Sequence, residues 1–262
     1  MHIIVLAVVQ GLTEFLPISS SGHLILVPSF FGWADQGLIF DVAVHFGTLG
    51  AVCVYFRRDI AGLLYGARRV LGGDVSSPRA RLALALLIGT LPAAVAGLLF
   101  AGWIEENLRQ PEVVVLTLSS FGILMALADR LGRRTRAMAD VTLKDALLIG
   151  MAQALALVPG TSRSGVTITA AMALGLERHD AARFSFLLSA PVILLACGYK
   201  VLSLVLAGAA VAWNELAIGA LVSGIVAYLS IEFFMRFVNA IGLLPFALYR
   251  LALAAVILVV LV

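Results

Sequence analysis

Six apolar runs dominate the chain, near 38–56, 82–103, 112–128, 182–208, 213–235 and 242–262. A helix crossing a bilayer needs about 17 to 25 such residues, so each run predicts one transmembrane helix. Two further regions, near 3–30 and 146–176, have a different pattern. In each, short apolar stretches flank a break rich in Pro, Ser and Gly, and neither stretch is long enough to cross alone. Broken backbone at membrane depth persists only where protein or a wet cavity satisfies its polar groups. Each region therefore predicts a re-entrant helical hairpin. The expected fold is an all-α polytopic membrane protein with six transmembrane helices and two re-entrant hairpins.

The two breaks resemble each other. One runs from Gln10 through Pro17 to a serine cluster and Gly22, the other from Gln153 through Pro159 to Ser162, Ser164 and Gly165, over the same distance. Phe40 and Phe184, and Cys53 and Cys197, match at an offset one residue longer. Arginines mark the sides of the membrane. Arg57, Arg58, Arg68, Arg69, Arg79 and Arg81 lie in one connection, and Arg130, Arg133, Arg134, Arg136 and Lys144 in another. The positive-inside rule makes both cytoplasmic. Trp33, Trp103 and Trp213 then fall at the external interface and both termini outside. The first hairpin enters from outside and the second from the cytoplasm, which is an inverted-topology repeat. The halves are 1–128 and 146–262, each a hairpin and three crossings, joined by a cytoplasmic linker at 129–145. The 57–81 connection reads as polar or amphipathic.

Composition fixes the class. Of 262 residues, 62% are hydrophobic and 13% charged, with a mean hydropathy of +1.07, against about 45 to 50% apolar in soluble chains. The net charge of +3 is carried by arginines between apolar runs, an orientation signal and not a nucleic-acid footprint. Cys53 and Cys197 sit inside apolar runs, which suggests packing and neither disulfides nor a metal cluster. Met1 to Val9 lacks a basic region and does not read as a cleavable signal.

Ionisable side chains at membrane depth mark function by default. On a helix Gln10 and Glu14 share a face, Pro17 ends that helix, and Ser19, Ser20 and Ser21 can cap the next one. Ser20 and His23 would share its first turn. A helix start presents free N–H groups and a positive dipole end, which favour phosphate. A carboxylate can hold a divalent cation or orient an imidazole, a hydroxyl can attack phosphorus, and an imidazole can move the proton. In the second break Thr161 and Ser162 can cap the next helix, Ser164 adds a hydroxyl, and Arg163 offers a planar fork for phosphate oxygens. Arg163 alternatively pairs with Glu14 to hold the tips together, and both roles are compatible when no substrate is bound. Asp41 and His45 line an entrance or lie at the interface. Glu232 and Arg236 predict an i,i+4 ion pair. Lys200 can snorkel, and Arg250 lacks an evident local partner.

With Gln10, Glu14, Pro17, the Ser-Ser-Ser run 19–21, Gly22 and His23, followed by Pro159, Gly160, Thr161, Ser162, Arg163, Ser164 and Gly165, the chain resembles the undecaprenyl-diphosphate phosphatases, the bacitracin-resistance membrane phosphatases. The likeness covers nearly the whole chain. It implies hydrolysis of a polyprenyl diphosphate to the monophosphate and inorganic phosphate, recycling the lipid carrier of cell-wall synthesis in the bacterial plasma membrane, at a site open to the external side. Many members carry Glu at the position of Gln10, so a carboxylate is missing there while Glu14 remains. The expected catalytic residues are Glu14, Ser20, His23 and Arg163, with Gln10, Ser19, Ser21, Thr161, Ser162 and Ser164 binding substrate. Glu14 is the expected ligand of a divalent cation, Mg2+ or Ca2+. Attack by Ser20, by His23 or by water stays open. The expected partners are the polyprenyl lipid, the bilayer and a second copy in a homodimer. A polyprenyl-phosphate flippase or secondary transporter is the rival, because broken helices in inverted repeats also build transporters.

Overall fold

In lipid every backbone polar group must be satisfied within the chain, and helix is the way a largely apolar sequence does this. The computed structural model describes residues 2–33, 37–206 and 213–261, and among them the fold is helical. The order is α1 His2–Thr13, α2 Ser20–Phe31, α3 Gly37–Tyr55, α4 Arg57–Leu71, α5 Pro78–Asn107, α6 Pro111–Leu131, α7 Leu143–Ala154, α8 Arg163–Ala173, α9 Arg178–Leu206, α10 Trp213–Ile241 and α11 Leu244–Leu261. The five helices α5, α6, α9, α10 and α11 are long and apolar enough to cross a membrane. The pair α3 and α4, which meet at 89°, is apolar enough only when taken together, as a broken span or a re-entrant loop. The outward faces of the long helices carry leucines such as Leu98, Leu116, Leu221 and Leu229, whereas Gln10, Glu14, His23, Ser185 and Arg250 are buried. This is a polytopic membrane protein with apolar residues outside and polar groups within.

Helix boundaries depart from the hydropathy pattern where caps intervene. α7 begins at Leu143, ahead of the expected 146, because Thr142 and Asp145 form a reciprocal capping box. Residues 57–71, within the connection expected to be polar or amphipathic, are helical, with Gly66 closely packed against Arg79 of α5. The expected Glu232–Arg236 ion pair does not form among the described residues; Arg236 lies over the Phe237 ring at 5.6 Å.

Between membrane helices there is little hydrophobic driving force, so close packing of small residues does much of the work. A Cβ on Gly47 of α3 would lie 2.1 Å from the Ala220 carbonyl of α10, and one on Gly150 of α7 would lie 2.4 Å from the Gly89 carbonyl of α5. The largest core cluster lies beneath the first break. Phe15, fully buried, meets Phe186 edge-on at 5.3 Å, and Phe186 continues to Phe56 and Phe234.

Candidate active site where two broken helices meet

The breaks between α1 and α2 and between α7 and α8 are built alike. Ser19 and Ser162 both take left-handed backbone, with φ of 75° and 68°. Each caps the following helix, its hydroxyl accepting from the N–H of Gly22 (3.3 Å) or Gly165 (3.2 Å). Each also pairs with the hydroxyl two residues on, Ser19 with Ser21 at 3.2 Å and Ser162 with Ser164 at 3.4 Å. The left-handed conformation is costly for a non-glycine residue and persists where its surroundings over-determine it. Here the cap bonds do so.

The second hydroxyl of each pair crosses to the other break. Ser21 Oγ accepts from the N–H of Gly160 at 3.2 Å, and Ser164 Oγ donates to the carbonyl of Leu16 at 3.2 Å. The two tips are thus clasped reciprocally, which brings the N-terminal ends of α2 and α8 together.

Glu14 is the hub. Its Oε2 accepts from Gln10 Nε2 and from Ser20 Oγ, both at 3.0 Å, and its Oε1 accepts from Arg163 Nη2 at 2.9 Å. The Arg163 guanidinium lies over the Phe15 ring at 5.6 Å and donates to the Ser185 carbonyl at 3.4 Å. His45 Nε2 lies 3.8 Å from Glu14 Oε2. The imidazole beside Glu14 is therefore that of His45, not of His23. His23 is turned elsewhere: Nδ1 meets the Ser19 carbonyl at 2.7 Å, and Nε2 meets the Tyr249 hydroxyl at 2.6 Å, with the two rings stacked at 6°. Ser20 and His23 share the first turn of α2 without bonding to each other. Buried Thr161 carries a hydroxyl, and Gln10 an amide oxygen, with no partner among the described residues.

Two residues of the site gave no motif signal. Tyr249 holds His23. Arg250, fully buried, donates Nη2 to the carbonyls of Gly160 and Thr161, both at 3.0 Å, and reaches the Leu118 and Thr117 carbonyls of α6 at 3.3 Å. It fixes the second tip, where Gly160 has a φ of 86° and a Cβ would come within 2.1 Å of Thr117 Oγ1. An unpaired Arg in the last apolar run was the signal available for it.

Known proteins resemble this chain throughout. The family model described as bacitracin resistance protein BacA matches residues 3–256. An undecaprenyl-diphosphatase of Teredinibacter turnerae is 54% identical over 252 residues, covering 96% of each chain. One of Hahella chejuensis is 55% identical over 259 residues, 99% of this chain and 97% of the relative. Undecaprenyl-diphosphatase 2 of Stutzerimonas stutzeri is 54% identical over 266 residues, 98% of this chain and 97% of the relative.

Proposed function

The chain belongs to the bacitracin resistance protein BacA family, and from that membership and the clasped tips we propose that it hydrolyses undecaprenyl diphosphate to the monophosphate and inorganic phosphate. The reaction recycles the lipid carrier of cell-wall synthesis and underlies bacitracin resistance. The relatives' activity favours this over the flippase or transporter alternative. One observation carries the chemistry: the Glu14 carboxylate holds a hydroxyl on one oxygen and a guanidinium on the other.

The terminal phosphate enters between the N-termini of α2 and α8, where backbone N–H groups, Ser19, Ser21, Thr161, Ser162 and Ser164 surround it and the Arg163 fork takes two of its oxygens. Ser20 Oγ attacks the terminal phosphorus and passes its proton to Glu14. The bond to the bridging oxygen breaks, its electron pair leaves with the lipid monophosphate, and His23, held by Tyr249, passes a proton to that oxygen and takes one back from solvent. Solvent restores the Glu14 carboxylate. A water, deprotonated by Glu14, then cleaves the phosphoserine, and the proton returns to the Ser20 oxygen. Arg163 and the helix ends stabilise the charge spread over the transferring phosphoryl group.

The donor set suits a cation that takes one carboxylate and completes its shell with substrate oxygens and water, the habit of Mg2+. Glu14, with the Ser20 hydroxyl beside it, would hold such an ion, which would neutralise charge on the diphosphate.

Two hairpins in an inverted repeat complete the proposal, with the site opening externally and the 129–145 linker cytoplasmic. The matched caps at Ser19 and Ser162 and the reciprocal clasp support it, as does the packing: α1 lies on α10 as α7 lies on α5. Phosphate release from undecaprenyl diphosphate by the purified protein tests the function. Wild type should release phosphate and Glu14→Gln very little. Equal release by both would remove the site, and lipid transfer between leaflets without release would favour the flippase.

A further inference from the structure

The corner between α3 and α4 lies beyond the edge-to-face rings of Phe15, Phe186 and Phe56. There the end of α3, the first turn of α4, the first turns of α9 and the side of α10 line an open concavity of about 360 Å3. Its charged lining comprises Arg57, Arg58, Asp59, His179 and Arg183. Phe56 and Met235 supply apolar walls. Asp59 pairs with Arg183 at 2.5 Å. Arg57 donates to the Val54 carbonyl at 3.3 Å, and among the described residues neither Arg57 nor Arg58 has a carboxylate within ion-pair distance. His179 pairs with Asp180 at 3.4 Å, and that carboxylate also accepts from the Met138 N–H. The cavity therefore holds two arginine charges beyond those its carboxylate balances.

Arginines that only orient a membrane protein can extend separately into water. Here three line one concavity with apolar walls, the exposed Arg57 and Arg58 and the partly buried Arg183, at the end of a membrane helix. The N-terminal ends of α4 and α9 open on the same space and add their positive dipole ends. Basic pockets between membrane helices suit phospholipid head groups, and the guanidinium fork suits phosphate oxygens. We propose that this cavity is a second phosphate site, separate from the catalytic tips, which takes the head group of an anionic membrane lipid. The phosphate oxygens meet Arg57, Arg58 and Arg183, and the glycerol and first acyl carbons lie on Phe56 and Met235. None of the lining residues bonds to Glu14, Ser20 or Arg163, so the proposal does not depend on the catalytic mechanism.

The test uses the full chain in neutral detergent, with lipid retention read by native mass spectrometry. The probes are phosphatidylglycerol, phosphatidylcholine and inorganic phosphate. Wild type should retain phosphatidylglycerol over phosphatidylcholine. Arg57→Gln/Arg58→Gln should weaken that retention about 30-fold, roughly fivefold per arginine, while phosphatidylcholine retention and diphosphate hydrolysis stay unchanged. Arg183→Gln, which also releases Asp59, should weaken it further than its own charge accounts for. Retention of inorganic phosphate that depends on Arg57 and Arg58, without lipid preference, would keep the phosphate chemistry and assign a free anion as its source. Equal phosphatidylglycerol retention by wild type and the double variant, or no retention of either probe, would overturn the proposal.

Discussion

Arg250→Met tests whether the second tip is held from outside its own sequence. The Gly160 and Thr161 carbonyls belong to a break, outside the regular helix ladder, and both take a bond from Arg250 Nη2 at 3.0 Å. The Thr117 and Leu118 carbonyls lie within α6 and keep their helical partners. The variant therefore deprives chiefly two loop carbonyls. A hydrogen bond to a charged group contributes about 1.5 to 3 kcal/mol, so losing two costs about 3 to 6 kcal/mol in the observed geometry. Rearrangement of the tip recovers part of that, leaving about 3 kcal/mol, or roughly 100-fold in rate. Because the tip orients Arg163 and the start of α8, the loss should appear mainly in kcat for phosphate release. Arg250→Lys keeps the charge but not the fork and should fall between wild type and Arg250→Met. Size-exclusion and thermal unfolding of each variant in detergent separate misfolding from misalignment. An Arg250→Met protein that is folded and within threefold of wild-type kcat would show that the second tip holds its catalytic geometry without Arg250.

Three further outcomes are expected. Arg163→Lys should lower kcat about 10- to 100-fold, since a point charge replaces a bidentate fork; near-normal turnover would show that the fork is unused. Tyr249→Phe removes the 2.6 Å bond to His23 and should cost about tenfold in kcat with KM little changed, so an unaltered kcat would take His23 out of the proton path. Single cysteines replacing Ser76 and Ala139 should resist an impermeant thiol reagent applied to intact cells, and labelling of both would reverse the proposed orientation.

Much of the site was legible because its parts are local. Spacing alone placed Gln10 beside Glu14 and put serine caps at the starts of α2 and α8, although α1 ends at Thr13, ahead of the expected Pro17, and Glu14 lies in the turn that follows. The alternative role of Arg163, pairing with Glu14 to hold the tips together, matches the bond at 2.9 Å between these residues, 149 positions apart. What stayed hidden depends on packing between distant helices. His45 comes from α3 and Tyr249 from α11, so the imidazole next to Glu14 could not be distinguished from His23 by spacing. Arg250 read as solitary because its partners are carbonyls, which every residue carries and no motif reveals. The 89° corner at Phe56 was hidden by hydropathy, because the apolar run ends there whether the chain bends or leaves the membrane.

Attack on phosphorus by Ser20, bonded to Glu14, is checked by kcat for phosphate release from undecaprenyl diphosphate by Ser20→Ala, with lipid binding measured on the same preparation. The predicted result is a fall in kcat of at least about 10³-fold with binding nearly unchanged, as for loss of a group that acts in the transition state. A folded Ser20→Ala protein whose kcat stays within tenfold of wild type would contradict it and pass the attack to water or to imidazole.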